Sequence, residues 1–164
     1  MRKTSKKYHY LLITIKVIII VMFIIVTIRG MKETYFHWDM SGAKENGSLS
    51  FLEIGLIYSH FRPILIMLLP IIGIFLNRKI GWILIMSYFY FVITRAIYST
   101  INSVYEETFS IIYLVVAIGL YVPFIIFLNV KKIRENIYNI QKSAIIKYNI
   151  IATIIGISIT LIII

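Results

Sequence analysis

Long apolar stretches, separated by short polar segments, dominate the sequence. A hydrocarbon core of about 30 Å needs roughly 20 helical residues at about 1.5 Å per residue. Five stretches meet that length, at about 10–28, 54–76, 81–101, 109–129 and 146–164. The pattern therefore predicts an all-α polytopic membrane protein, a bundle of five transmembrane helices that forms a single integral membrane domain over residues 1–164.

The first stretch follows a basic N-terminal tail, which is the arrangement that secretory signal peptides share. A signal core runs about 7–15 residues, whereas the apolar run here extends from Leu11 to Ile28. It ends at Val26-Thr27-Ile28-Arg29-Gly30, which lacks the small-residue pattern of a cleavage site. We therefore expect the first stretch to be a retained span.

The composition supports a lipid environment. Hydrophobic residues make up 60% of the 164 residues, charged residues make up 15%, and the mean hydropathy is +0.90. Soluble domains are about 45–50% apolar and about 25% charged, so a water-soluble enzyme, a disordered chain and a DNA-binding domain are excluded. Because the chain has no cysteine, disulfides, thiolate metal sites and cysteine nucleophiles are excluded as well.

Basic residues are distributed unevenly along the chain. They concentrate in the N-terminal tail, at Arg78 and Lys79, and in segment 131–145, whereas segment 99–108 has none. Since Lys and Arg collect in cytoplasmic loops, we predict the N-terminus inside and the C-terminus outside. Segment 30–52 is then an exterior loop and segment 131–145 a basic cytoplasmic segment. Topology thus explains the net charge of +10, and no nucleic-acid partner is expected.

Two segments outside the spans carry helix signals. In the exterior loop, Ser50 and Glu53 form the capping pattern S-x-x-E, which predicts that the second helix begins there. In the cytoplasmic segment, Ile133, Ile137 and Ile140 recur at helical spacing among lysines. That spacing fits a helix lying in the membrane interface, and it fits a solvated extension of the fourth span equally well.

Catalytic signatures are absent from the sequence. It has neither a G-x-S-x-G elbow nor an H-E-x-x-H motif, and its single aspartate is Asp39. The pair Glu106-Glu107 matches the start of the motif E-E-x-x-x-R of CAAX-type membrane proteases, but the final position is Ile111. At most two histidines, His37 and His60, fall on one side of the membrane. We therefore expect no catalytic residues, no metal and no cofactor.

Two arginines lie inside apolar stretches. Spans 54–76 and 81–101 should form an antiparallel hairpin around the tight turn 77–80, which places Arg62 and Arg95 at nearly equal depth in the outer half of the bilayer. A charge at the bilayer midplane costs about 2.5–3.5 kcal/mol, and like charges repel more strongly where the dielectric constant is low. We therefore expect an anionic group to compensate the pair.

The polar residues near these arginines predict an outward-facing pocket for an anion. Polar and aromatic residues of the third span recur every three to four positions and so share one face, which in a membrane turns toward protein or a water-filled cavity. The competing interpretation is that both arginines extend to the headgroups. The predicted pocket residues are Arg62, Arg95, His60, Tyr88, Tyr98 and Glu53.

Small residues and prolines mark two further helices. In the last span, Ala152, Gly156 and Thr160 are four apart, a face that lets another helix approach closely. The approaching helix could belong to the same chain or to a second copy. In the second span, Pro63 and Pro70 are expected to kink the helix.

These features predict a small multi-pass protein of the bacterial cytoplasmic membrane that is not an enzyme. Its partners are the lipid bilayer and, at the pocket, an anionic lipid headgroup or another membrane protein. It would bind or support a membrane component as an accessory subunit, or act as an immunity or protection-type protein. The alternatives are a permease-like subunit for an anionic or lipid solute and an enzyme acting on lipid headgroups.

Overall fold

The computed structural model describes residues 6–43, 47–102 and 107–163. These residues form no β-strand, so the predicted all-α class is confirmed. The prediction on Glu106 and the first five residues of the basic N-terminal tail lie outside the described residues, as does the side chain of Glu107. A short 3-10 helix, Lys142–Ala144, precedes the last of seven α-helices. The α-helices are α1 (Lys6–Met40), α2 (Ser48–Ile57), α3 (Arg62–Phe75), α4 (Lys79–Asn102), α5 (Glu107–Leu128), α6 (Lys131–Asn136) and α7 (Ile145–Ile163).

Four helices are long and apolar enough to cross a membrane: α1, α4, α5, and α7 together with the 3-10 turn before it. The pair α2 and α3 also meets this criterion when taken together, but the two helices are bent by 87°. The described part of the chain is therefore that of an all-helical membrane protein, with four such helices and one bent pair.

Helix α4 lies at the centre of the bundle and packs against α3, α5 and α7. Its side chains Trp82, Met86 and Phe89 are fully buried or nearly so. The indole Nε1 of Trp82 donates a 3.1 Å hydrogen bond to the carbonyl oxygen of Leu128. This bond satisfies a buried donor and joins the first turn of α4 to the last turn of α5, so these two helices are antiparallel.

The contacts fix the relative directions of the other long helices. Helices α3 and α4 are antiparallel, because a Cβ on Gly73 would lie 2.8 Å from the carbonyl oxygen of Gly81 across their short turn. Helices α4 and α7 are parallel, since Gly156 lies against Ser87, and Thr160, one turn later, lies against Thr94. We name the basic end of the bundle by residues 76–79 and 131–142, and the far end by residues 58–62 and 160–163.

The first correction concerns the predicted exterior loop 30–52, because α1 continues through Gly30 to Met40. Gly30 does not end the helix: a Cβ there would lie 2.9 Å from the carbonyl oxygen of His60, so glycine permits a close approach between segments. Beyond it, Arg29 pairs with Glu33 at 2.7 Å, and the buried Thr34 hydroxyl donates to the Gly30 carbonyl. A helix of 35 residues is about 52 Å long, longer than a bilayer core is thick.

The second correction concerns span 54–76, which is predicted as one helix but is broken between α2 and α3. Ser59 has a φ of +61°, a left-handed conformation that ends α2. The backbone N–H of Phe61 donates to the Gly55 carbonyl, and that of Arg62 donates to the Ser59 carbonyl, both at 3.2 Å. Pro63 therefore lies in the first turn of α3, where its missing N–H needs no partner.

The predicted capping box is also wrong. Helix α2 begins at Ser48 and has no side-chain hydrogen bond at its N-cap, Gly47. The Ser50 hydroxyl instead lies 2.6 Å from the Gly47 carbonyl oxygen and accepts a 2.7 Å hydrogen bond from Trp38 Nε1. Ser50 therefore attaches α2 to α1, and Glu53 stays exposed.

The third correction concerns segment 131–145, which is neither an interfacial helix nor a solvated extension of α5. Helix α6 ends after six residues, and Asn139 reverses the chain with a φ of +54°. Ile133 and Ile140 are fully buried in the protein core rather than facing lipid. The buried Arg134 closes this turn, because its Nε donates a 3.2 Å hydrogen bond to the Ile140 carbonyl.

Candidate functional site

A cavity of about 410 Å³ lies at the far end of the bundle, among α1, α3, α4 and the last residue of α7. We call it the arginine cavity, because Arg62 and Arg95 both line it. Its remaining walls are largely apolar and aromatic. They are formed by Val26, Ser59, Pro63, Ile66, Met67, Tyr88, Phe91 and Ile163.

Helix lengths place the outer residues of this cavity far from the basic end of the bundle. Arg95 lies sixteen residues after Lys79, a rise of ~24 Å from the basic end along α4. Ile163 lies eighteen residues after Ile145, a rise of ~27 Å along α7. Both rises approach the ~30 Å thickness of a hydrocarbon core, so Arg95 and Ile163 lie far from the basic end.

The two guanidinium groups in the cavity have no anionic partner among the described residues. The ion pairs that the structure shows elsewhere in the chain join Arg29 with Glu33, His60 with Glu33, and Arg134 with Glu135. Arg62 is exposed at the start of α3, whereas Arg95 is half-buried on α4. A pair of like charges at the edge of a low-dielectric region stabilises an anion placed between them.

Tyr88 forms part of the deep wall of the cavity. It is 6% exposed, and its ring centroid lies 6.3 Å from that of Phe91 and 6.1 Å from that of Tyr121. Met67, which is 2% exposed, forms the neighbouring apolar wall on α3. The cavity therefore combines a cationic part with an apolar, aromatic interior.

The other three predicted pocket residues lie elsewhere. The Nδ1 atom of His60 lies 3.3 Å from the Glu33 carboxylate, and its ring stacks on His37 at a centroid distance of 5.0 Å. Glu53 is exposed on α2, and Tyr98 is half-buried on α4 without lining the cavity. The structure thus brings Arg62, Arg95 and Tyr88 together, and it does not bring the other three to them.

Sequence reasoning missed Glu33 as the partner of His60. It placed Glu33 in a loop, although Arg29, Glu33 and His37 are four residues apart and share one face of a continued helix. That spacing was the available signal. Ser59, at the break between α2 and α3, also lines the cavity.

The small-residue face of α7 packs against α4 of the same chain. A Cβ on Gly156 would lie 2.7 Å from the carbonyl oxygen of Ser87, so only glycine allows this backbone approach. Ala152 and Thr160 are buried on the same face, and the Thr160 hydroxyl lies 2.8 Å from that of Thr94. This contact positions the end of α7, where Ile163 lines the arginine cavity.

Within the described part of the chain, no three His, Asp or Glu side chains group together as a metal site would require. No protein-family model, no curated protein and no solved structure matches this chain. The chemistry of the arginine cavity is therefore the basis for assigning a function.

Proposed function

We propose that the protein is a non-enzymatic, multi-pass membrane protein that binds the phosphate of an anionic lipid headgroup in the arginine cavity. The observation that carries this proposal is the convergence of Arg62 and Arg95 on one cavity without a carboxylate from the described residues. In this role it acts as an accessory or protective component of the bacterial cytoplasmic membrane, holding a lipid beside the bundle.

The chemistry of the cavity suits a phospholipid. A guanidinium presents planar donors that pair with two phosphate oxygens at once, and it loses less hydration than an ammonium group would. Apolar side chains such as Ile66 and Met67 line the cavity beside the arginines and can contact the acyl chains. Small-molecule sites commonly measure about 300–1,000 Å³, so about 410 Å³ accommodates a phosphoglycerol group.

We also propose five spans with a cytoplasmic N-terminus. Counting the bent pair α2 and α3 as one broken span gives an odd number of crossings. Helices α3 to α5 alternate in direction, and α7 is parallel to α4, as successive spans of one bundle require. Arg78, Lys79 and the basic residues of 131–142 gather at the basic end, which supports a cytoplasmic location for that end.

The two alternative functions have less support. An enzyme acting on headgroups would need a proton carrier beside the arginines, but His60 pairs with Glu33 and Glu53 is exposed on α2. A permease would need a polar path toward the basic end. The described residues offer Met67 and the aromatic cluster of Tyr88 and Phe89 in that direction.

Native mass spectrometry of the full chain, titrated with phosphatidylglycerol or phosphatidylcholine, tests the lipid site. The parent should retain phosphatidylglycerol in preference, and Arg62→Gln or Arg95→Gln should each weaken retention by about tenfold, the value of one charge-assisted contact. Lys32→Gln is the control, because Lys32 is exposed on α1 and lies outside the cavity. Equal retention of both lipids by the parent, or equal losses in all three variants, would contradict the proposal.

A further inference from the structure

Stacked rings and a carboxylate join the outer part of α1 to the turn between α2 and α3. His37 of α1 stacks on Tyr58 at a centroid distance of 4.7 Å and on His60 at 5.0 Å, with interplanar angles of 7° and 17°. One turn of α1 before His37, the Glu33 carboxylate lies 3.3 Å from Nδ1 of His60. We call Glu33, His37, Tyr58 and His60 the histidine cluster. It brings two imidazole rings together in one contact between segments.

The histidine cluster holds a turn that also shapes the arginine cavity. The same turn approaches α1 at Gly30, where a Cβ would lie 2.9 Å from the His60 carbonyl oxygen. Ser59 and Arg62, on either side of His60, both line the arginine cavity. A change in the cluster is therefore felt by residues of that cavity.

The cluster has one carboxylate, and that carboxylate is shared. Nε of Arg29 donates a 2.7 Å hydrogen bond to one oxygen of Glu33, and His60 faces the other oxygen. The remaining charged residues on α1 from Arg29 onward, on α2 and on α3 are two cations and two anions, all exposed, where solvent screens them. They are Lys32, Asp39, Glu53 and Arg62. Glu33 is thus the group that compensates a charged imidazole here.

The geometry tolerates one charged imidazole and opposes two. Because a carboxylate only accepts hydrogen bonds, Nδ1 of His60 carries a proton, and Nε2 receives the next one when the ring becomes charged. Nε2 is buried and has no hydrogen-bond partner among the described residues, so a charged N–H there is costly. A proton on His37 as well would place two like charges at ring centroids 5.0 Å apart, with a single shared carboxylate beside them.

We propose that the histidine cluster is a proton-sensitive contact, which holds the outer part of α1 on the turn before α3 while either imidazole is neutral and releases it when both are charged. Histidine is the side chain whose charge changes between about pH 5 and about pH 8, so acidification in this range favours the released form. Release takes up a proton that the closed contact disfavours. The ratio of released to closed molecules should therefore rise by up to about tenfold per pH unit as the pH falls. Lipid binding is no part of this proposal, which does not rest on the proposed function.

Two spin labels measure this contact directly, because the natural chain has no cysteine. Met40→Cys places one label at the end of α1, and Leu65→Cys places the other on α3. Both natural side chains are exposed and lie outside the cluster. Pulsed electron paramagnetic resonance then gives the distance between the labels in the full chain, in detergent micelles, from about pH 8 to about pH 5. We expect one distance at the higher pH and a second, longer distance whose share grows as the pH falls.

Variants of the cluster identify the groups that take up the proton. His37→Gln and His60→Gln each leave one imidazole in the cluster, so neither chain should gain the longer distance at low pH. Glu33→Gln removes the compensating carboxylate, so release should begin at a higher pH than in the parent. His9→Gln is the control, because it removes the third histidine of the chain, which lies near the start of α1. This variant should respond to pH as the parent does.

Several outcomes overturn the proposal. One is a parent whose distance distribution is the same at both ends of the pH range, and another is a Glu33→Gln chain that releases at the same pH as the parent. A third is release at low pH in a histidine variant that is closed at high pH, since another group would then take up the proton. If one histidine variant already shows the longer distance at high pH, the other decides. If both do, the imidazoles hold the contact by more than their charge, and the proposal is wrong.

Discussion

Tyr90 of α4 donates a 2.9 Å hydrogen bond to the side-chain oxygen of Asn149 on α7. The Asn149 amide in turn donates a 3.0 Å hydrogen bond to the side-chain oxygen of Asn129, just after α5. Side chains thus join α4, the end of α5 and the start of α7 close to the basic end of the bundle. This chain of hydrogen bonds holds the start of α7, the helix whose last residue, Ile163, lines the arginine cavity.

Replacing Asn149 with Ala should therefore loosen α7. Hydrogen bonds between membrane helices contribute about 0.6 kcal/mol on average and up to about 1.7 kcal/mol, so losing two should lower the unfolding free energy by ~1–2 kcal/mol. Reversible unfolding in mixed micelles measures this quantity. Ser158→Ala is the matched control, because Ser158 is exposed on the same helix. If the two variants have the same unfolding free energy, the hydrogen bonds of Asn149 do not hold α7 in place.

Gly156→Ala should destabilise the contact between α4 and α7. The added methyl would lie 2.7 Å from the Ser87 carbonyl oxygen and 2.8 Å from the Phe91 backbone nitrogen, and backbone atoms cannot move independently. Forcing extra volume into a packed contact costs about 1–3 kcal/mol. The measurement is the thermal midpoint of unfolding in detergent.

Gly119→Ala provides the control for Gly156→Ala, because nothing lies within 4 Å of a Cβ at that position of α5. Alanine has a higher helix propensity than glycine by about 1 kcal/mol, so Gly119→Ala should be neutral or stabilising. The two identical changes should thus shift the midpoint in opposite directions, and a shift of the same sign and size would refute the packing argument.

Much of this helical core follows from local sequence patterns. The apolar stretches indicate the membrane helices, because few structures other than a helix can pair the backbone hydrogen-bonding groups inside a bilayer. The spacing of Ala152, Gly156 and Thr160 indicates a close helix contact, and the structure supplies its partner, α4. The sequence could not identify that partner, since a small-residue face fits the backbone of any neighbouring helix.

The continuation of α1 past Gly30 is indicated only by the four-residue spacing of Arg29, Glu33 and His37, and the break before α3 has no local signal. Gly30 resembles a helix end in isolation, and only the nearby His60 carbonyl explains why glycine lies within the helix. Ser59 adopts a left-handed φ that non-glycine residues rarely adopt. Residue counts along a hairpin suffice to predict that Arg62 and Arg95 lie close together. The contact between His60 and Glu33 could be predicted only from the continued helix α1, which places Glu33 beside His60.

Arg95→Gln should have opposite effects on the free protein and on its response to lipid. In the ligand-free protein it removes one of two cations that have no anionic partner among the described residues, so the thermal midpoint should be unchanged or higher. With phosphatidylglycerol present, the parent should be stabilised and the variant much less so, since ligands stabilise the state that binds them. Thermal unfolding with and without the lipid gives both values. Arg95 would instead have a structural role if Arg95→Gln lowered the thermal midpoint without lipid, and if the lipid raised the midpoint of the variant as much as that of the parent.

Introduced cysteines test the proposed topology, because the natural chain has none. Ser41→Cys should react with a membrane-impermeant maleimide in intact cells, whereas Lys131→Cys should react only after the membrane is opened. Asn77→Cys distinguishes one broken span from a re-entrant pair, since Asn77 lies between α3 and α4. If α2 and α3 cross the membrane together, Asn77→Cys should react only after the membrane is opened. Because residues 76–79 and 131–142 lie at one end of the bundle, a re-entrant pair would instead expose Asn77→Cys and Lys131→Cys together. Reaction of Asn77→Cys from outside would indicate a re-entrant pair and four spans.

Gly30→Ala should weaken lipid binding in the arginine cavity, although Gly30 does not line it. The added methyl would lie 2.9 Å from the His60 carbonyl oxygen and 2.9 Å from a methyl of Ile64, residues on either side of Arg62. The Ile64 side chain can move, but the carbonyl belongs to the turn that sets where α3 begins, so relief of the contact should displace Arg62. Phosphatidylglycerol retention should fall toward that of Arg62→Gln, with a stability loss of about 1–3 kcal/mol. The control is again Gly119→Ala, which should retain the lipid as the parent does. Normal retention in Gly30→Ala, combined with lost retention in Arg62→Gln, would show that the position of Arg62 does not depend on α1.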